Sequence, residues 1–141
     1  EAKSLNIDVK LISDGDVSGA LLVTDEKHNI DLFLGIGGGP EGVLAASALD
    51  SYGCGFQGRF VFDTDELKKR ANKMGINDLE KKYKLDEIVK GDSLFCATGI
   101  TKGDLVNGLE LKDNKMVVNT LITHKSQNMK KIVTGEIDIK K

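Results

Sequence analysis

Residues 31–53, DLFLGIGGGPEGVLAASALDSYG, constrain the fold more than any other part of the chain. Residues 32–34 form an apolar run of the length expected for a buried strand. Gly35, Gly37, Gly38 and Gly39 follow, then Pro40, and then a helical pattern over residues 41–52 that Gly53 can end. Proline suits the first helical position, which needs no backbone N–H, and glycine suits the residue just past a helix end. The spacing therefore predicts a strand, a glycine turn and a helix N-terminus in succession. Such a turn leaves free N–H groups and the positive end of a helix dipole unobstructed by side chains, a setting that favours an anion. Glu41 sits in the same first turn. A carboxylate beside a phosphate site is repulsive unless a cation lies between them.

Three readings of this turn follow. In the first, the glycines only make a tight turn and Glu41 matches the helix dipole. In the second, residues 37–42 satisfy G-x-G-x-x-G and the chain is a non-catalytic phosphate- or nucleotide-binding α/β module, which requires Glu41 to point away. There is no Walker A lysine. In the third, a divalent cation stands between Glu41 and a phosphate, since Mg²⁺ and Mn²⁺ join carboxylate oxygens to substrate phosphate.

The rest of the sequence narrows the class. At 141 residues the chain suits one domain, and 40% hydrophobic with 30% charged residues suits a soluble globular one. A net charge of −2 gives no reason to expect nucleic acid or an acidic membrane surface as a partner. No apolar run approaches the ~20 residues of a membrane span, and no signal-peptide pattern opens the chain. Cys54 and Cys96 lack metal-ligand spacing, so reduced thiols in the cytoplasm are expected. The chain does not begin with methionine, and residues 1–5 read as the last turn of a helix whose body is missing. Residues 1–141 are thus expected to be a single C-terminal domain of a longer protein.

Taken in order, residues 9–12 read as a strand closed by the turn Ser13-Asp14-Gly15-Asp16, and residues 17–23 as a short helix that Asp14 or Asp16 can cap. Both aspartates can equally project from a strand end toward a ligand. Residues 55–62 alternate Phe56, Gly58, Phe60 and Phe62 as a strand. Asp63 and Glu66 then open a helix over residues 65–74. A short helix is expected at residues 85–89. Residues 93–97 read as a second buried strand, ending in the small polar stretch that begins with Thr98 and Gly99. From Leu109 the pattern is a β-meander with turns at residues 113–114 and 126–128. The strands at 9–12, 32–35 and 93–97 are expected to present their carboxyl ends on one side.

The segments DGDV (residues 14–17), GIGGGPEGVLAA (35–46), QGR (57–59) and ATGITKGDL (97–105) occur in order over nearly the whole chain. Together they resemble the C-terminal half of class II, GlpX-type, fructose-1,6-bisphosphatases. That resemblance implies a layered sheet-and-helix fold similar to the lithium-sensitive sugar phosphatases, such as inositol monophosphatase. It implies metal-dependent hydrolysis of the 1-phosphate of fructose 1,6-bisphosphate, with Mn²⁺ or Mg²⁺ as cofactor, a sugar bisphosphate as partner, and homo-oligomers left open. By the same resemblance Glu41 matches a metal ligand, Asp14, Gly15 and Asp16 match a substrate-contacting DGD, and Gly38 matches a backbone contact to substrate. Gly37, Gly39, Thr98 and Gly99 would line the site. The family's other metal carboxylates, its basic substrate-binding residues and its water-activating groups precede this segment. The chain alone is therefore expected to be inactive.

Overall fold

The structure is a computed structural model that describes residues 2–139. It is a mixed α/β arrangement in which helices pack on antiparallel sheets. After a 3₁₀ turn at Ala2–Leu5, helix α1 (Asp16–Leu21) starts from Gly15. Glu1, the first residue of the predicted terminal turn, lies outside the described residues. A 3₁₀ turn at Leu22–Thr24 extends α1, and a second at Glu26–His28 is capped by Asp25, whose carboxylate accepts the Lys27 N–H at 3.1 Å.

Helix α2 (Gly39–Tyr52) begins one residue before Pro40, the expected first helical position, and ends at Gly53 as expected. Gly38 caps it in an extended conformation, Pro40 takes the second helical position, and Gly53 ends it at φ 70°. The left-handed conformation at Gly53 turns its N–H back onto the carbonyl of Asp50 at 3.2 Å, satisfying a group the helix would otherwise orphan. The inner face of α2 is built from small residues, with Ala45, Ala46 and Ala48 buried beside Leu49.

A short antiparallel pair joins β1 (Gln57–Gly58) to β2 (Tyr83–Lys84), with α3 (Asp65–Lys73) between them and α4 (Leu85–Ile88) after them. The main sheet is organised on β5 (Lys115–His124). Its full length pairs with β6 (Met129–Asp138) on one edge. On the other edge β3 (Leu94–Thr98) pairs with residues 120–124 and β4 (Glu110–Lys112) with residues 115–117, so two strands lie end to end along one partner. Asp113 and Asn114, both at positive φ, make the two-residue turn between β4 and β5. The core forms where α1, α2 and this sheet meet, around Leu21, Ala48, Leu49, Phe95 and Leu121.

Several expectations are corrected. Residues 9–12 and 32–34 are not strands, and Leu11, Leu32 and Leu34 are exposed, not buried. A strand exists only as a pair, and among the described residues none pairs with either segment. With β3 in antiparallel pairing, three parallel strands ending on one side are not present. The predicted strand at 55–62 shrinks to β1. Thr64, not Asp63, caps α3, its hydroxyl accepting the Leu67 N–H at 3.3 Å.

Candidate functional site

The site is assembled by α1 packing against the chain that leads into α2. Gly19, on the buried side of α1, makes the approach close. A Cβ there would lie 2.5 Å from Ile12 Cδ1 and 3.0 Å from Phe33 Cε2. The extended residues before α1 and before α2 therefore converge on one point of the helix. That convergence carries the Asp14–Asp16 turn toward the glycine turn, 21 residues away in sequence from Asp16 to Gly37.

Gly15 sits at φ 76°, a conformation that L side chains rarely adopt, and a Cβ there would meet Ser18 Oγ at 2.8 Å. Its carbonyl accepts both Ser18 Oγ at 2.8 Å and the Gly19 N–H at 2.7 Å. Asp14 Oδ1 accepts the Gly15 N–H at 2.7 Å, and Asp16 Oδ1 accepts the Val17 N–H at 3.1 Å. The other carboxylate oxygen of Asp16 occupies the space that a Cβ on Gly37 would fill. Glu41 Oε2 does the same at Gly38. Two carboxylates, from separate helices, thus lie against consecutive glycines.

The remaining glycines of the G-x-G-x-x-G pattern have no such neighbours. A Cβ at Gly39 would reach only Phe60 Cε1 at 4.0 Å, and one at Gly42 would meet nothing within 4 Å. Within residues 37–42, space is tight only at the two glycines that an acidic side chain approaches. Among the described residues, Asp14, Asp16 and Glu41 form no ion pair within 4.0 Å. The arrangement is electronegative and uncompensated, and hard-cation chemistry suits such oxygens. Among the described residues no group of three or more His, Cys, Asp or Glu could hold a metal.

Thr98 and Gly99 lie at the end of β3, where their polar groups are engaged in the sheet. The hydroxyls of Thr98 and Thr120 are 2.8 Å apart, and the Gly99 N–H donates to the Asn119 carbonyl at 3.0 Å. A Cβ on Gly99 would collide with the Asn107 carbonyl oxygen. The structure thus brings Asp16, Gly37, Gly38 and Glu41 together, while Thr98 and Gly99 serve the strand end and its loop.

Two polar clusters escaped the sequence. Buried Asp50, near the end of α2, accepts Lys125 Nζ at 2.8 Å and Ser93 Oγ at 3.2 Å, which fastens α2 to the sheet. Asp92 Oδ2 is 2.6 Å from both His124 Nε2 and Ser126 Oγ, and Oδ1 accepts the Ser126 N–H at 3.0 Å. Hydrogen bonds from the Ser126 hydroxyl and N–H, with His124, hold the Asp92 carboxyl down from its ordinary 3.8 to about 2. This cluster is a turn clamp. In a nucleophile triad histidine bridges hydroxyl and carboxylate through its two nitrogens, whereas here the carboxylate holds both partners. Both clusters join residues more than 30 positions apart and left no sequence signal beyond a polar turn.

The model of a bacterial glpX-encoded fructose-1,6-bisphosphatase matches residues 1–137. The chain is 39% identical to the Haemophilus influenzae protein named fructose-1,6-bisphosphatase class 2, over 92% of this chain and 43% of that one. It is 35% identical to fructose-1,6-bisphosphatase 2 class 2 of Escherichia coli, over 86% of this chain and 42% of that one. It is 37% identical to a Synechococcus protein named D-fructose 1,6-bisphosphatase class 2/sedoheptulose 1,7-bisphosphatase, over 81% of this chain and 37% of that one. The chain spans about two fifths of the length of these relatives. With the family match running over residues 1–137, the chain belongs to the glpX-encoded, class II family of bacterial fructose-1,6-bisphosphatases.

Proposed function

We propose that this chain supplies part of the active site of a class II fructose-1,6-bisphosphatase, hydrolysing the 1-phosphate of fructose 1,6-bisphosphate to fructose 6-phosphate and phosphate in gluconeogenesis. The observation that carries the reading is the approach of the Asp16 and Glu41 carboxylates to the consecutive glycines 37 and 38 in a chain of this family. Glu41 fits a hard cation as an oxygen donor, and Mn²⁺ or Mg²⁺ held there with ligands from elsewhere would supply phosphoryl polarisation and an acidified water. The chain's own contribution is placement. Asp14 and Asp16 accept hydrogen bonds from sugar hydroxyls, the Gly15 turn aims them, and the bare backbone at Gly38 lets the ligand approach. Gly37 and Gly39 complete the floor, while Thr98 and Gly99 contribute shape.

A layered fold akin to the lithium-sensitive sugar phosphatases is part of the same reading, supported by α2 lying across the β3–β5 sheet. So is a cytoplasmic setting, in keeping with the free thiols Cys54 and Cys96. A nucleotide-binding module is disfavoured physically. A pyrophosphate at the N-terminus of α2 would need the space beside Gly38 that the Glu41 carboxylate takes.

The test is Glu41→Gln in the full-length enzyme. It preserves volume and removes one charge. Turnover of fructose 1,6-bisphosphate should fall more than about 100-fold with folding intact, because loss of a metal ligand exceeds the 10- to 100-fold cost of losing a supporting residue. Retained turnover would reject the assignment.

A further inference from the structure

The main sheet has two unlike edges. On one, β3 and β4 lie end to end against β5, and the chain between them breaks the line. On the other, β6 keeps one register against β5 for ten residues, from Met129 to Asp138. No bulge or proline interrupts it, and among the described residues no strand pairs with its outer side. Long edges in natural sheets are blunted by proline, by a bulge or by lysines that repel a second strand. The charges of β6 have both signs instead, with Lys130 and Lys131 at its start and Glu136 and Asp138 at its end.

The backbone decides which residues meet an added strand. The Ile139 N–H donates to the Asn114 carbonyl at 3.1 Å, and Asp138 opposite Lys115 is the next pair along. Antiparallel pairs alternate between hydrogen-bonded and non-hydrogen-bonded. The odd-numbered residues of β6 therefore direct their main-chain groups to β5, and those of Lys130, Ile132, Thr134, Glu136 and Asp138 face the open edge. The side chains of these five lie on the α2 side of the sheet, where Ile132 is opposite Leu121 and Lys130 Nζ rests 5.0 Å over the Tyr52 ring. A second β6 laid antiparallel, with Thr134 opposite its own copy, sets outward-facing residues opposite each other at every step. It places Lys130 opposite Asp138 at both ends and Ile132 opposite Glu136 between them.

We propose that the outer edge of β6 is an interface between two copies of this chain, joined antiparallel about a two-fold axis at Thr134. The strand is complementary to itself, and that selects a second copy over other strands. Among the described residues neither Lys130 nor Asp138 forms an ion pair within 4.0 Å, so each is open to the opposite charge on the copy. Glu136 is held by Lys115 at 2.8 Å and brings no free charge to Ile132. A shift of two residues either way removes Lys130 from opposite Asp138, and a parallel pairing sets lysine beside lysine. Ile132, Val133 and Ile137, exposed at 56%, 40% and 51%, lose water as the two sheets become one. The inference rests on the sheet alone and is independent of any role of Glu41.

The test is sedimentation equilibrium of the 141-residue chain over a dilution series, with residue-resolved amide hydrogen exchange above and below the midpoint. A dimer is expected. In it the amides of Lys130, Ile132, Thr134, Glu136 and Asp138 should be protected at least about tenfold more than in the monomer, while those of Val133 and Ile137 are protected alike in both. Lys130→Glu and Asp138→Lys should each weaken the dimer at least about tenfold, because like charges then face each other at both ends. The double variant Lys130→Glu/Asp138→Lys restores the opposition and should return the dimer to within about threefold of wild type. A chain that stays monomeric throughout, a dimer that leaves the even-numbered amides unprotected, or a double variant as weak as the single ones would each overturn the proposal. So would protection of those amides in a monomeric full-length enzyme, which would give the edge to another strand of the same molecule.

Discussion

Gly38→Ala separates the chemistry of the glycine turn from its folding. Gly38 has φ −68° and ψ 152°, a conformation that alanine adopts freely, so no backbone strain is introduced. The new methyl group instead enters the space held by Glu41 Oε2. A glutamate side chain has several rotatable bonds and can swing away, so the helix survives and the carboxylate moves. On stability, a favourable loss of unfolded-state freedom of about 0.4–1 kcal/mol opposes the poorer capping of alanine, a few tenths to about 1 kcal/mol. The net change should lie within about 1 kcal/mol, or roughly 2–4 °C in melting temperature for a chain of this size. On activity, displacing a ligand by this route should cost about 10- to 100-fold, the scale seen when a supporting contact to a metal ligand is lost. The assays are thermal unfolding of the 141-residue chain and steady-state kinetics of the full-length enzyme on fructose 1,6-bisphosphate. If the methyl acts through Glu41, the double variant Gly38→Ala/Glu41→Gln should be no slower than Glu41→Gln alone. Additive losses, or a large fall in melting temperature with activity per folded molecule unchanged, would refute the argument.

Two further outcomes are expected. Asp14→Ala or Asp16→Ala in the full-length enzyme should lower kcat/KM for fructose 1,6-bisphosphate by about 1.5–3 kcal/mol, or 10- to 150-fold, and affect a small non-sugar phosphate ester much less; equal losses on both esters would show that these aspartates shape the metal site instead. The carboxyl of Asp92 is held below its ordinary value, so its contribution to stability is complete above pH 3.8 and is lost as pH falls through about 2. Asp92→Asn should therefore unfold more readily than wild type near neutrality, and the gap between their melting temperatures should close on acidification across that window; a gap independent of pH would assign the stabilisation to something other than this carboxylate.

What could be read from the sequence was what a few adjacent residues decide. Helix α2 was legible because Pro40 and Gly53 act within one turn of themselves. The β4–β5 hairpin was legible because Asp113 and Asn114 both accept positive φ. The misreadings at 9–12 and 32–34 have a different origin: an apolar run shows that a segment will be covered, not what covers it or whether the cover belongs to the same chain. The cap of α3 went to Thr64 because its hydroxyl stands three residues before the Leu67 N–H, while Asp63 is one residue too early. In the site, the need for glycine at positions 37 and 38 was visible only as a turn. That Gly37 yields its space to Asp16 is a tertiary fact, created by Ile12 and Phe33 crossing α1 at Gly19.

The placement of β5 also bears on how the chain comes to be folded as it is made. Leu121 closes the core begun by Leu21, Ala48, Leu49 and Phe95, and β3, β4 and β6 all find their partner in the one strand. A ribosome delivers α1, α2 and β3 first, yet β3 has no strand partner until residues 120–124 emerge. The hairpins that flank β5 are local and close in roughly 1–10 μs, whereas β3 must wait for a strand that begins 17 residues after it ends. A nascent chain halted before Leu121 would hold Phe95 and the α2 face in water, the kind of exposed surface that chaperones recognise.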